Sequence, residues 1–259
     1  MGRASTENRH SFGASEIIGN LIIAATIMVI TIISANLAFT IIEVQAAQAE
    51  FESIKDSMII LADIIEEVSS RMYSSGYVKF NCKYGRIDFL KDNVHVEVYL
   101  ITEINSTKII DDYTSSIRYT SSLSFSVVDE YIRGSSGIGI GEYSQVISIR
   151  TLMSYGFPSI ILSGGSIRFL REGEIFLFSR GIYTNVYGLV FIRLKIGLTF
   201  GSGSINVKAY SKNVLLKTFF VDSNGILKLF LNGVLIDSKG IISPAILYVA
   251  LLEVELSTV

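Results

Sequence analysis

The stretch SFGASEIIGNLIIAATIMVITIISANLAFTIIE, Ser11 to Glu43, decides how this chain is read. Between Ile17 and Ile42 it runs for 26 residues without a charge. At about 1.5 Å per residue these make about 39 Å of helix, more than the roughly 30 Å hydrocarbon core of a bilayer. A segment this long and this apolar is expected to span a membrane, with length to spare for tilt. A secretory signal peptide is the rival reading, and Ala47-Gln48-Ala49 has the small-residue pattern of a cleavage site. The apolar run of such a peptide is only about 7–15 residues, however, and a helical pattern passes through these alanines unbroken. A single carboxylate, Glu16, stands at the edge of the stretch.

The flanks set the orientation. Arg3, Arg9 and His10 stand against Glu7 on one side, and Glu43, Glu50 and Glu52 follow on the other. Basic flanks stay in the cytoplasm, so the N-terminus is expected inside and the remainder of the chain outside.

Beyond the apolar segment, small or apolar residues recur at Val44, Ala47, Phe51, Ile54, Met58, Leu61, Ile65, Val68 and Met72. The steps alternate between three and four, a heptad seam. Charged residues fill the positions between, and no Pro or Gly intervenes before Gly76. One helix is therefore expected over 14–75, with the membrane segment at 17–42 and a tail at 1–13. Its packing seam (Phe51, Ile54, Met58, Leu61, Ile65) serves equally to cover the chain's own later domain or sister copies of the helix.

From Gly76 to Val259 the period changes to two. RIDFL, NVHVEVYLI, SLSFSVV, QVISIRTL, SIRFL, EIFLF, SINVKAY, ILKLFLNGVLID and ILYVALLEVEL read as strands. Asn224-Gly225 and Asn232-Gly233 are hairpin dipeptides, and LKDNV and REGE read as turns. The expected class is α+β: a long membrane-spanning helix followed by an antiparallel β-sandwich-like domain of about eight to twelve strands. Four stretches look alike, beginning at Gly85, Gly165, Gly203 and Gly225; ordinary hairpins explain them without duplication.

The 259 residues are 49% hydrophobic and 18% charged, with a net charge of -2 and no Lys/Arg cluster, which argues against a nucleic-acid partner. One cysteine, Cys82, excludes an internal disulfide. The two histidines, His10 and His95, have no zinc-ligand spacing around them, and the acidic pair Asp111-Asp112 reads as solvated. The glycine-rich RGSSGIGIGE (Arg133–Glu142) lacks the Gly-Lys-Ser/Thr ending of a phosphate loop. No catalytic constellation, cofactor motif or metal motif is apparent, so the chain is not expected to be an enzyme. Asn105-Ser106-Thr107 is an N-glycosylation sequon on the expected outer side.

A short polar tail, FGASEIIGNLIIAATIMVI, a long helix and a β-rich domain together resemble the archaeal type IV pilin and archaellin superfamily, whose members carry a class III signal peptide. The resemblance is close over residues 1 to about 45 and extends to the rest only in general class. It implies cleavage by a prepilin-peptidase-like membrane protease between Gly13 and Ala14, with Glu16 becoming the third residue of the mature chain. It implies residence in membrane lipid before assembly, then a surface filament of sister subunits bundled through these helices. Glu16 would there pair with a freed α-amino group. Phe12 stands where the family carries Lys or Arg. The alternative is an uncleaved, single-pass β-sandwich protein that does not polymerise and binds a cell-wall layer, a glycan or assembly partners.

Overall fold

The computed structural model describes residues 9–134, 139–141, 145–177, 179–199 and 203–259, and only the backbone of residues 9–16. The chain divides into two units, Met1–Ala46 and Ala47–Val259. Helix α1 (Arg9–Ser69) crosses the division. It begins five residues before the expected start at 14 and ends six before 75. The stop is local: Ser74 Oγ donates to the carbonyls of Val68 (2.9 Å) and Arg71 (2.6 Å). Tyr73 turns the chain in the left-handed region at φ 63°. Gly76 is not the stop. It lies in the first strand, where a Cβ would stand 2.6 Å from Ile64 Cγ2, so the strand approaches the helix too closely for any side chain.

In the first unit, the large apolar side chains from Ile17 to Ile42 are exposed throughout. One helix is thus long and apolar enough to cross a membrane.

The second unit is mostly β. Its strands are β1 (Ser75–Asn81), β2 (Gly85–Thr102), β3 (Ser106–Ser121), β4 (Glu130–Arg133), β5 (Ile140–Gly141), β6 (Ile147–Ser154) and β7 (Phe157–Gly164). They continue as β8 (Ile167–Leu177), β9 (Ile182–Ile196), β10 (Ser204–Val221), β11 (Gly225–Leu231), β12 (Val234–Ile241) and β13 (Ala245–Thr258). One sheet is ordered β1-β10-β13-β9-β8-β5 and the other β12-β11-β2-β3-β7-β6-β4. The class is α+β as expected, but the sheets are not purely antiparallel. β13 runs parallel to β9, and β5 parallel to β8.

Three of the four look-alike stretches carry a β-bulge where a hairpin turn is expected. LKDNV lies inside β2, with Lys91, Asp92 and Asn93 unpaired between Leu90 and Val94. REGE lies inside β8, where the register shifts between Arg171 and Gly173. The third look-alike stretch is bulged in β10 between Ser211 and Asn213. In each case an unbroken neighbouring strand supplies ladder partners to both halves, so the polar residues swell the strand and do not reverse it. Only the fourth stretch is a hairpin, β11–β12, turning at Asn232-Gly233 with φ 49° and 79°. Asn224-Gly225 instead leads from β10 in one sheet to β11 in the other. SLSFSVV (122–128) keeps its alternation, with Phe125 and Val127 packed inward, but joins no ladder.

Two apolar clusters hold the unit together. The first combines Phe51, Ile54, Met58, Leu61, Ala62, Ile65 and Val68 of α1 with residues of both sheets, among them Phe80, Ile117, Tyr119, Ile149, Leu162, Leu194 and Leu256. The seam is thus buried against strands of its own unit. The second cluster is sheet against sheet, with Val96, Val98 and Leu229 facing Phe169, Leu189 and Val249. β9 and β13 pair without a break, yet Leu189 and Val249 belong to the second cluster and Leu194 and Val254 to the first. Side chains alternate faces along a strand, so the change from odd to even at β13 places the two clusters on opposite faces of this pair.

Ile54→Ala and Leu61→Ala are each expected to lower the unfolding free energy of the second unit by about 2–5 kcal/mol. The check is the denaturant midpoint at unchanged slope. Ile60→Ala, at a position 52% exposed, should change it by no more than about 0.5 kcal/mol. Identical midpoints for all three variants would show that the seam contributes nothing.

Candidate functional site

The apolar segment of α1 carries few polar groups, and three of them are turned inward on the helix. Thr26, Thr31 and Thr40 donate their hydroxyls to the carbonyls of Ile22, Ile27 and Asn36, at 2.8, 2.8 and 3.0 Å. A hydroxyl bonded to the carbonyl four residues back is suited to surroundings that offer no water. Gly13, Ala14 and Glu16 all lie in the α1 backbone, and their side chains lie outside the described residues.

Two helix carboxylates fasten α1 to the strands of the second unit. Glu50 accepts from the backbone amides of Lys83 (2.7 Å) and Tyr84 (3.0 Å) in the β1–β2 connection and from Tyr119 Oη (2.8 Å) on β3. Gly85 leaves room for that tyrosine: a Cβ there would stand 2.4 Å from the ring and from its oxygen. Glu66 accepts from the amides of Val146 (3.1 Å) and Ile147 (3.3 Å) and from Arg168 (3.2 Å). Arg133, itself buried, reaches both Glu66 and Asp63. Burial, with the nearby Glu50 carboxylate adding to it, pushes the Cys82 thiol up to about 12. Burial, then the bond to Glu50, also raises the Tyr119 hydroxyl. In the sequence Glu50 reads as a flank charge; nothing local marks it as a ligand of backbone amides 33 residues away.

On the β2–β3 ladder a group of polar side chains converges. Glu97 stands opposite Asp111, His95 opposite Tyr113 and Tyr99 opposite Lys108. A bulge at Ile109 brings Lys108 onto the same face as Asp111 and buries Ile109 and Ile110 side by side. Lys108 Nζ lies 2.6 Å from Glu97 Oε1 and 3.1 Å from Asp111 Oδ2. His95 Nε2 lies 2.8 Å from Asp111 Oδ1, and the ring stacks on Tyr113 at 4.3 Å. Tyr99 donates to Glu97 Oε1 at 3.1 Å. The hydrogen bond from Lys108, the largest influence, holds the Glu97 carboxyl below its usual range. Hydrogen bonding to His95 and then to Lys108 does the same for Asp111. Asp112, expected to be solvated with its neighbour, pairs instead with Arg193 of β9 at 2.8 Å. That His95 and Glu97 share a face is legible from HVEV; that Asp111 and Lys108 join them depends on register and a bulge, which the sequence does not announce.

Asn105 is exposed in the β2–β3 turn. Its carbonyl accepts from Thr102 N at 2.8 Å and its Oδ1 accepts from Ser106 N at 2.8 Å. Of the rejected phosphate loop, residues 135–138 and Glu142 lie outside the described residues, while Ile140-Gly141 pairs in parallel with Ile167-Arg168. No protein-family model matches the chain, and no curated protein and no solved structure matches it.

Glu50→Gln keeps one acceptor oxygen for the two amides, loses the carboxylate charge and sets an NH2 group against the Tyr119 hydroxyl. It is expected to destabilise the second unit by about 1–3 kcal/mol, and Tyr119→Phe by about 1 kcal/mol. Thermal or denaturant unfolding of the detergent-solubilised chain reads both, and wild-type midpoints would remove Glu50 from this role. The raised thiol also has a sign. Its protonated form is favoured by folding, so its contribution is whole below the ordinary thiol value of about 8.5 and falls away as pH rises towards about 12. Cys82 should therefore resist iodoacetamide near pH ~9 while folded and react once denaturant is added. Equal alkylation rates in the two states would contradict its burial.

Proposed function

We propose that the chain is a structural subunit, major or minor, of an archaeal type IV pilus-like surface filament. The observation that carries this reading is the exposure of every large apolar side chain between Ile17 and Ile42. Such a surface needs a cover. Lipid supplies it while the N-terminus is inside and the β-rich unit outside, and sister helices supply it after assembly. Gly19, Ala24, Ala25, Ser34, Ala35 and Ala38 give close approach between such helices. The seam from Ala47 to Val68 is occupied within its own unit, so contact between copies falls to the segment before it. In the filament the β-rich units, each a sandwich-like head, form the outer surface. The role is structural and not catalytic.

The second reading is an uncleaved, anchored protein of the same topology that binds a cell-wall layer, glycan or assembly partner and does not polymerise. Phe12, in place of a basic residue ahead of Gly13, favours it.

Mass spectrometry of the cell-associated protein separates the two. A mature N-terminus at Ala14 or Ser15 is expected for the filament subunit; a chain that retains its first residues supports the anchored reading. Glu16→Ala is expected to leave the β-rich unit folded and the helix inserted, and to lower the ratio of sheared filament to membrane-extracted protein. Glu16→Gln should fall between. Equal ratios in all three would count against assembly through Glu16.

A further inference from the structure

We propose that His95, Glu97 and Asp111 form a binding site for a divalent transition-metal ion of the Zn²⁺ or Ni²⁺ class. This inference is independent of whether the chain assembles into a filament, because the residues belong to the β2–β3 ladder alone. One imidazole and two carboxylates are a donor set for such ions. One ligand atom from each residue lies within 4.8 Å of the others. Ligands held about 2.0–2.2 Å from a common ion are about 3–3.5 Å apart, so small side-chain rotations close the set, with water completing the coordination.

Three features fit the site to an ion. The first is placement on a rigid pair of strands. His95 donates its backbone N–H to Asn232 Oδ1 (2.9 Å), and its carbonyl accepts from Asn232 N (2.9 Å), which ties this point of β2 to the β11–β12 turn. The Tyr113 ring, 13° from parallel, fixes the imidazole plane. The second is charge. Two carboxylates face one ammonium, leaving an excess of negative charge that favours a further cation. The third is the division of the carboxylate oxygens. Lys108 takes Glu97 Oε1 and Asp111 Oδ2, while Glu97 Oε2 lies 4.0 Å from His95 Nδ1 and Asp111 Oδ1 lies 2.8 Å from His95 Nε2. An ion taken by Glu97 Oε2, Asp111 Oδ1 and one of these two nitrogens, the nitrogen giving up any proton it carries, leaves the Lys108 bridge in place. Lys108 and Tyr99 then orient the carboxylates as outer partners, the arrangement that tunes ligand position in metal sites. The imidazole selects against Ca²⁺ and Mg²⁺, which prefer oxygen donors throughout.

The test is titration of the untagged, full-length chain in detergent with ZnCl₂, followed by calorimetry and by the shift in melting temperature. Saturable uptake of one Zn²⁺ per chain with a rise in Tm is expected. His95→Gln and Asp111→Asn should each weaken it by about tenfold or more, with unchanged far-ultraviolet circular dichroism in the absence of metal. His10→Gln, the only other histidine, should bind as the wild type does. The proposal is overturned if the folded wild type shows no saturable Zn²⁺ uptake, if His95→Gln binds Zn²⁺ as tightly as wild type, or if His10→Gln is the variant that loses it. CaCl₂ giving the same affinity as ZnCl₂ would overturn the assignment to a transition metal.

Discussion

The second unit depends on the burial of one helical face inside a β structure. From Ala47 to Val68 the seam of α1 is almost wholly withdrawn from solvent, and strands of both sheets meet on it. An apolar seam alone would leave helix and sheets free to slide, since apolar contact is not directional. The carboxylates remove that freedom. Glu50 satisfies amides of the β1–β2 connection, and Glu66 satisfies amides at the start of β6 while engaging Arg133 and Arg168. Sixteen residues apart, about 24 Å along the helix, they set its position at two levels. The amides of Tyr84, Val146 and Ile147 would otherwise lie partly or wholly buried without these partners, which is costly for backbone amides.

The same strands serve a second core that the helix never enters. The change of face along β9 and β13 means that their sheet has no single inside and outside. Near Val254 one face is covered by the helix-containing cluster; near Val249 it is the opposite face that is covered. This departs from a sandwich in which each sheet buries one face throughout, and it accounts for several long strands whose polar residues fall in the middle. Asp92, in the β2 bulge, is held by Lys195 at 3.0 Å, and Asp112 by Arg193 at 2.8 Å. These ion pairs join β2 and β3 to β9, and Thr114 Oγ1 of β3 accepts from the amide of Leu194 of β9.

What could be read from the sequence was whatever one residue's neighbours decide. The uncharged run of Ile17–Ile42 and the three-and-four spacing of the seam depend only on local order, and the helix and its buried positions follow from them. Alternation was equally legible, even at Phe125 and Val127, where the inward facing is kept without a ladder. The polar residues within LKDNV, REGE and the Ser211–Asn213 stretch of β10 suit either a hairpin or a bulge, and the choice rests with a distant strand. Ser115 and Ser116 of β3 settle the matter for β2, bonding Asp92 N and Asn93 Oδ1 at 3.0 Å each. The partners of Glu50, Glu66 and Asp111 were hidden for the same reason: each carboxylate has its meaning in another element.

The position of β13 has a consequence for how the unit forms. It lies between β10 and β9, parallel to β9 and antiparallel to β10, yet it follows every other strand in the sequence. Until it is in place, β9 and β10 present open backbone edges to each other across a gap, and neither apolar cluster is closed. Such an arrangement has little local closure to reward early pairing, so folding should be slow and weighted towards its final step. While it folds, the partly built sheet would be a template for pairing with other chains. Keeping it apart from its neighbours until β13 arrives is then a task for the cell, and an N-terminal helix held in lipid would limit how freely such chains meet.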